Sequence, residues 1–236
     1  MLHRSALRNQ WTLESSIDWR ADLVAPKWLS RQIYVDTVSQ LYHAERLTHN
    51  VCQQISGQLD SLEARRFLTT QIADEERHAR VYLEYLRRLG DMKRMNEGLA
   101  AVREGARCWR GSPYGLMVAF HVVLEGEAVG IQRSLTDFLP CPLLRQINSR
   151  IARDEARHVA FGTRFLRHAL SSLPKDERRA IYNWVKALWH QCIGANTQTR
   201  RTSMSHFVRL GKRRIDRRWL RHERAFHAIG LLDENA

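Results

Sequence analysis

The chain of 236 residues is poor in the residues that make tight turns, with 12 glycines and 5 prolines. An all-β protein needs many such turns, so this scarcity favours helices. The four cysteines lie far apart and none belongs to a C-x-x-C pair, which argues against zinc-knuckle and thioredoxin-like sites and requires no disulfide. No apolar run has the length of a signal peptide or a membrane span. We therefore expect a helical, cytoplasmic protein.

Acidic residues are also under-represented, with 25 Asp and Glu against 38 Lys and Arg, which gives a net charge of +13. Residues 200–224 hold ten Lys or Arg against Asp216 and Glu223 and so contribute +8 of that charge. Such a tail could bind an acidic carrier protein or a nucleic acid, with Trp219 stacking on a base. It could equally be a solvated helix face.

Apolar residues recur at alternating steps of three and four along most of the chain, the spacing of helices that bury one face. We expect an irregular segment over residues 1–30 that packs on the outside, a four-helix bundle over 31–172, and extra helices with the basic tail over 173–236, packed on the same domain. The long stripes run over residues 32–59, 68–86, 118–129 and 144–169, and helices are also predicted over 93–107 and 175–196.

Each of the four long stripes contains a glutamate at an inward position: Glu45, Glu75, Glu125 and Glu155. Burying an unpaired carboxylate costs roughly several kcal/mol, even after the protein relaxes around it. Four of them therefore need a common explanation. Glu127 is the rival of Glu125, because it lies two residues further on and on a different helix face.

An internal repeat supplies that explanation. The motif Asp-Glu-x-Arg-His occurs twice with an offset of 80 residues, and the same offset relates Glu45 to Glu125, each 30 residues before its E-x-x-H pair. Thirty residues suit half a long helix, a turn and half of an antiparallel neighbour. The offset therefore favours Glu125 over Glu127. The two copies are Asp74, Glu75, Arg77 and His78, and Asp154, Glu155, Arg157 and His158.

The spacing of the motif suits metal ions. A glutamate and a histidine three residues apart share one helix face and can bind one ion. Four carboxylates carry about −4 and two divalent ions about +4, so the cluster would be neutral with both ions bound. Carboxylates with imidazole suit iron or manganese, and no thiolate is offered for zinc. The alternative, two solvated faces with accidental E-x-x-H motifs, conflicts with the inward stripes.

With these motifs the chain resembles the ferritin-like di-iron carboxylate superfamily over residues 32–171. The doubled motif is similar to that of the hydroxylase subunits of bacterial multicomponent monooxygenases and, more loosely, to that of the small subunit of ribonucleotide reductase. The resemblance implies an all-α, ferritin-like antiparallel four-helix bundle with additional C-terminal helices. It also implies two iron ions, with manganese as an alternative. The implied ligands are Glu45, Glu75, His78, Glu125, Glu155 and His158.

The same resemblance implies that Asp74 and Asp154 each orient the histidine of the opposite half. Arg77 and Arg157 could pair with these aspartates at a spacing of three residues. His121 lies one turn before Glu125, where we consider either a core histidine or a role in metal binding or proton transfer.

Three positions depart from, or complicate, the resemblance, and Gly162 has two interpretations of its own. Val129 replaces a threonine of the monooxygenases, and Ile151 replaces a histidine of the N-oxygenase branch, which counts against that branch. Tyr82 occupies the place of the radical tyrosine of ribonucleotide reductase but could be an ordinary core tyrosine. Gly162 indicates either open space near the metals or close helix packing.

We therefore expect an oxygen-activating, non-haem di-iron oxidase or monooxygenase that acts on an unidentified organic substrate. The chain shows no flavin or iron–sulfur motif, so a separate electron donor is expected, and assembly as a homodimer is left open. One alternative is a ferritin- or rubrerythrin-like protein that handles iron or scavenges peroxide. The other is a basic nucleic-acid-binding helical protein, or a modified-tRNA hydroxylase.

Overall fold

The computed structural model describes residues 7–8, 10–198 and 212–233, and within these ranges it contains helices and no strand. The predicted all-α class is confirmed. The helices are α1 (Leu13–Ser16), α2 (Arg31–Ser56), α3 (Leu62–Leu89), α4 (Glu97–Cys108), α5 (Pro113–Met117), α6 (Glu125–Phe138), α7 (Pro142–Ser171), α8 (Lys175–Gln198) and α9 (Lys212–Ala228), and a π-helical segment (Val118–Leu124) joins α5 to α6.

Local sequence signals set the ends of the long helices. The side chain of Ser30 accepts a hydrogen bond from the backbone of Ile33 at the start of α2, and Ser61 does the same for Ala64 at the start of α3. These caps satisfy backbone N–H groups that have no partner inside the helix. Helix α3 ends at Gly90, whose φ of 155° suits a residue without a side chain.

The four long helices of the bundle are α2, α3, α7 and the continuous helical span Pro113–Phe138, which ends with α6. They pack as two neighbouring pairs. Helix α2 packs on α3 and α6 packs on α7, while α3 also contacts α7. Only residues 57–61 connect the first pair and residues 139–141 the second, and such short loops join antiparallel neighbours. Helix α8 packs on α4 beside the bundle. The result is the expected four-helix bundle with additional helices at its C-terminal end.

Two apolar clusters fill the interior. The tyrosine cluster is named for three of its members, Tyr34, Tyr82 and Tyr85. The tryptophan cluster is named for Trp189 and Trp219 and also includes phenylalanines of the bundle. A boundary between the two clusters crosses all four long helices.

That boundary coincides with the glutamates. In α2, Leu41 belongs to the tyrosine cluster and Leu47 to the tryptophan cluster, and Glu45 lies between them. The other three long helices pass from one cluster to the other in the same way at their own glutamates. The polar residues thus form a layer between two apolar layers, which is where the apolar stripes of the sequence predicted them.

The helical span that carries Glu125 is unusual in its apolar character and in its hydrogen bonding. The span Pro113–Phe138 is long and apolar enough to cross a membrane, but 56% of its apolar window is buried, and it forms part of the bundle core. Within it, the backbone N–H of Glu125 donates to the carbonyl of Phe120, five residues back. Segments of π-helix are rare and are frequent at functional sites. Sequence periodicity did not predict this one.

The described part of the basic tail belongs to the fold. Helix α9 buries Trp219 and Phe226 in the tryptophan cluster, and Trp219 donates from its indole nitrogen to Glu223 at 2.6 Å. With 5% of its surface exposed, Trp219 has no free face for a nucleic-acid base. The stacking role considered for Trp219 is therefore wrong. Residues 199–211, which hold Arg200, Arg201 and Arg209, lie outside the described residues.

Gly162 is a site of close packing. An added Cβ would overlap the Cβ of His121 and lie 3.0 Å from its Cγ, so the open-space interpretation is wrong.

We predict that Gly162→Ala lowers the free energy of unfolding by about 1–3 kcal/mol, because the added methyl group would overlap His121 and force α7 and the π segment apart. Gly130→Ala is the control, since no described residue lies within 4 Å of its added Cβ and alanine favours a helix by up to about 1 kcal/mol. Thermal and denaturant unfolding measure both variants. Equal stability of Gly162→Ala and the wild type would contradict the packing described.

Candidate metal centre

The six side chains expected to bind metal meet in the polar layer, and each is at most 5% exposed. Helix α2 supplies Glu45, α3 and α7 supply one E-x-x-H pair each, and Glu125 is the first residue of α6. Their ligand atoms form two groups, each with all atoms within 4.8 Å of one another. The first group is Glu45, Glu75, His78 and Glu155, and the second is Glu75, Glu125, Glu155 and His158.

Glu75 and Glu155 belong to both groups, so the arrangement has the form of two neighbouring ion sites with two carboxylates between them. The outer ligands would then be Glu45 with His78 on one side and Glu125 with His158 on the other. This is the pattern that the sequence repeat predicts.

The residues fit a pair of cations on a second count. The Oε2 atoms of Glu75 and Glu125 are buried and have no hydrogen-bond partner among the described residues. An unsatisfied buried acceptor costs about 1–3 kcal/mol, and more when it is charged. Metal ions would supply both the missing partners and the compensating charge. The donor set, carboxylate oxygen with imidazole nitrogen, suits iron or manganese.

Both histidines present the same nitrogen to the cluster. The Nδ1 atom of His78 lies 3.3 Å from Glu45 Oε2, and the Nδ1 atom of His158 lies 3.2 Å from Glu155 Oε2. The Nε2 atoms point the other way, His78 to Asp154 and His158 to Asp74, each at 3.1 Å. Each aspartate thus meets the histidine of the opposite half, in the geometry that the resemblance implied. A histidine that donates from Nε2 keeps Nδ1 free for a metal.

The two arginines of the motif complete a buried ring with the aspartates. Arg77 Nη2 lies 2.5 Å from Asp74 and 3.0 Å from Asp154, and Arg157 Nη2 lies 2.7 Å from Asp74 and 2.9 Å from Asp154. Burial alone would raise the pKa of each aspartate. Hydrogen bonds from the histidines and the charges of neighbouring cations outweigh burial and hold both pKa values well below their usual range. The aspartates therefore stay ionised and keep the histidines oriented.

Two residues of the N-terminal segment reach this ring, which sequence reasoning missed. The indole nitrogen of Trp11 donates to Asp154 Oδ2 at 2.8 Å, and Gln10 Nε2 donates to Asp74 Oδ1 at 3.1 Å. The Trp11 ring also stacks on His78, with the ring centroids 6.2 Å apart. This segment, expected to pack only on the outside, therefore caps the buried polar network. No local pattern around Trp11 indicates such a contact.

His121 contacts the cluster through Gln71, which sequence reasoning also missed. His121 Nε2 donates to Gln71 Oε1 at 3.0 Å, and Gln71 Nε2 donates to Glu125 at 2.6 Å and to Glu75 at 3.2 Å. Burial and the positive charge of His158 lower the pKa of His121 to about 3, so it is neutral. His121 belongs to neither group of ligand atoms.

Tyr82 is hydrogen-bonded and buried. Its hydroxyl donates to Asn148 Oδ1 at 3.1 Å. Burial and the nearby charges of Glu45 and Glu155 raise its pKa well above the ordinary value, which keeps the hydroxyl protonated. A core role accounts for this geometry, and a redox role for Tyr82 stays a prediction.

Glu127, the rival of Glu125, lies outside both ligand groups. It forms an ion pair with Arg218 of α9 and accepts a hydrogen bond from His222 Nε2 at 3.0 Å. Glu125 Oε1 instead lies 4.0 Å from His158 Nδ1. The structure therefore brings Glu125, and not Glu127, to the cluster.

A cavity of about 130 Å³ borders the cluster on the side of Glu45, Glu125 and Glu155. Its other walls come mainly from apolar side chains of α2, α4, α6, α8 and the π segment. This volume is close to that of an engineered cavity of about 150 Å³ in another protein, which binds benzene. The cluster thus faces a space of the right size and character for a small organic molecule.

Comparisons with known proteins agree with this geometry. The family model of the p-aminobenzoate N-oxygenase AurF matches residues 45–229. Because this match includes Ile151, the expectation that Ile151 counts against the N-oxygenase branch is wrong. A search of curated protein sequences finds no match.

Solved structures share the fold. One R2-like ligand-binding oxidase, with a glycine-to-phenylalanine substitution and an Mn/Fe cofactor, gives a TM-score of 0.72 at 16% identity, covering 95% of this chain and 91% of its own. Another R2-like ligand-binding oxidase, with a tyrosine-to-phenylalanine substitution and an Mn/Fe cofactor, gives a TM-score of 0.70 at 18% identity. The match covers 98% of this chain and 92% of the oxidase chain. At these identities the likeness concerns the fold alone, and it agrees with the expected ferritin-like bundle.

We predict that Glu125→Gln lowers the metal content below that of the wild type, because the amide keeps the shape of the carboxylate but is neutral and a weaker ligand. Glu127→Gln is the matched control and should retain two ions per chain. Elemental analysis of the purified proteins measures the content. Loss of metal from Glu127→Gln but not from Glu125→Gln would contradict the assignment.

Metal binding should release protons. In the metal-free protein, burial and the charges of neighbouring glutamates raise the pKa of Glu45 and Glu125. The pKa values of His78 and His158 are also raised, because hydrogen bonds to carboxylates outweigh the effect of burial. Groups with raised pKa values hold protons near neutral pH, and these protons compete with the ions.

We therefore expect Mn²⁺ affinity to fall as the pH is lowered from mildly alkaline to neutral and below. Calorimetric titration in buffers of different ionisation enthalpy counts the protons released. An affinity that does not change with pH, with no proton release, would show that the cluster is not the binding site.

Proposed function

This chain belongs to the AurF family, whose model is described as p-aminobenzoate N-oxygenase, and we propose that it oxidises the nitrogen of a small aromatic amine. The family match covers residues 45–229, which include the whole ligand cluster. The expected function, an oxygen-activating di-iron oxidase or oxygenase, is confirmed at that level. The proposal goes further in naming the substrate class.

One observation carries the proposal: the ligand cluster faces the apolar cavity directly, with Glu45, Glu125 and Glu155 in its wall. A protein that only stored iron or reduced peroxide would have no need of a cavity the size of an aromatic ring beside its metals. For the same reason the ferritin- and rubrerythrin-like alternatives have less support. The burial of Trp219 removes the specific support for a nucleic-acid-binding protein.

The six cluster residues would hold the cofactor, with Glu75 and Glu155 between the two ions. When bound, the metal pair supplies the reduction of O2 and the oxidising power for the substrate. Iron is the proposed metal, and manganese suits the same donor set. The R2-like oxidases of similar fold carry manganese with iron.

The chain's own residues do the positioning. Asp74 and Asp154 hold the two histidines with Nδ1 toward the ions. Gln71 donates to Glu125 and Glu75 and so restricts how those carboxylates turn. The apolar walls of the cavity exclude water, which strengthens electrostatic interactions at the cluster.

The proposed reaction needs a source of electrons. Placing one atom of O2 on nitrogen and releasing the other as water consumes two electrons, which a separate donor would supply.

A cytoplasmic location is supported by the four cysteines, none of which forms a disulfide. Binding of an acidic partner and assembly as a homodimer stay predictions.

We predict that the reduced, iron-loaded protein consumes O2 faster in the presence of 4-aminobenzoate and converts it to the hydroxylamine. Mass spectrometry after reaction under oxygen-18 gas should find the label on nitrogen. Ala128→Phe places a ring in the cavity wall and should abolish this stimulation while two ions per chain remain bound. The proposal fails if no single-ring amine stimulates oxygen uptake or gains the label.

A further inference from the structure

The cavity contains buried hydrogen-bond donors with no partner. Asn96 Nδ2, Trp189 Nε1 and Arg218 Nε line it or belong to residues that line it, and none of them has a hydrogen-bond acceptor within the described part of the chain. Leaving a buried donor unsatisfied is unfavourable, and such atoms in folded proteins need an explanation. A ligand that offers acceptor oxygens would satisfy them.

Two of these donors lie together. The guanidinium carbon of Arg218 is 5.8 Å from the centroid of the Trp189 ring. Trp189 belongs to α8 and Arg218 to α9, the two helices that follow the metal-binding bundle in the chain. The two side chains are therefore neighbours, and both come from the additional C-terminal helices.

Arg218 is the one Lys or Arg among the residues that line the cavity in the described part of the chain. Its ion pair with Glu127 occupies Nη2, and His222 occupies the other oxygen of Glu127. Glu127 and His222 thus fix the guanidinium and leave its Nε–H unused. Burial and the charge of Arg221 lower the pKa of Arg218 to about 10, so it remains a cation at neutral pH.

The cavity wall also includes the carboxylates of Glu45, Glu125 and Glu155, which would bind ions. An apolar space with donors and a cation in one part of its wall and the metal cluster in another can orient a molecule that has an anionic end and a reactive end.

We propose that Arg218 and Trp189 form an anion-binding subsite that selects small aromatic carboxylates and orients their other end toward the metal cluster. The inference rests on the proposed function and deepens it, because it assigns substrate selection to residues outside the metal-binding bundle. A charge-assisted hydrogen bond to a carboxylate is about twice as strong as a neutral one, which is the source of the selectivity.

Binding to the Mn²⁺-loaded protein without oxygen tests the subsite, with benzoate and its neutral analogue benzamide as probes and calorimetry as the readout. We expect benzoate to bind at least about tenfold more tightly, in line with the greater strength of charge-assisted hydrogen bonds. Arg218→Lys keeps a cation beside Glu127 but lacks the Nε–H, and should remove most of this preference.

Trp189→Phe keeps an aromatic ring but lacks the indole N–H, and should weaken benzoate binding by about three- to tenfold, the value of one hydrogen bond. Trp184→Phe is the matched control. Trp184 lies on the same helix but stacks on Trp109 and lines a separate surface groove, so this variant should bind like the wild type. Metal content and thermal unfolding verify that each variant is intact.

Benzoate could instead bind the metal ions directly, and its preference over benzamide would then persist in Arg218→Lys with full metal content. That result, or equal affinity of the wild type for the two probes, would overturn the subsite. The binding measurement needs no oxygen chemistry. Tight benzoate binding without amine oxidation would therefore contradict the proposed function and leave the subsite standing, whereas amine oxidation without a benzoate preference would do the reverse.

Discussion

The structure depends on the burial of four carboxylates at the boundary between two apolar clusters. Removing each from water costs several kcal/mol, about the size of a whole domain's net stability when the four are added. The helices can pack in this register because the carboxylates can hold protons or share compensating cations. The same constraint explains why the glutamates lie at one level in all four long helices, since a carboxylate one turn away would be buried among apolar side chains.

The two halves of the bundle, α2 with α3 and α6 with α7, are alike in the ring of aspartates and arginines. They differ in the helix that carries Glu45 or Glu125. The ring of Asp74, Asp154 and the two motif arginines is nearly symmetric, because both copies of the repeat supply the same residues. The symmetry ends at the π-helical segment, which has no described counterpart before Glu45 in α2 and brings His121 against Gly162. The cavity borders that asymmetric side. Similar halves thus suit the binding of two ions, and their difference makes room for a substrate.

Features that depend on local periodicity could be predicted from the sequence. The apolar stripes, the inward glutamates and the repeat at 80 residues identified the bundle and its six cluster residues, because helix geometry fixes which residues share a face. Contacts between distant segments could not be predicted in this way. Trp11 meets Asp154 across 143 residues, and nothing near either residue encodes the pairing. The π segment was missed because its register depends on tertiary packing. Ile151 misled because one substituted position does not define a branch of a family.

The basic C-terminal tail shows why composition alone could not assign a role. In α9 the side chains of Trp219, His222 and Phe226 are buried and follow the spacing of one helix face, while Arg217, Arg221 and Arg224 are exposed. A net charge adds all of these arginines together with Arg218, which lies between the two faces and is largely buried. An arginine in that position cannot act as a solvated charge, because its surroundings contain Glu127, the Trp189 ring and the cavity. Its chemistry is set by burial and by its partners, and a helix that looked like a surface for large acidic partners therefore contributes a wall to a small-molecule site.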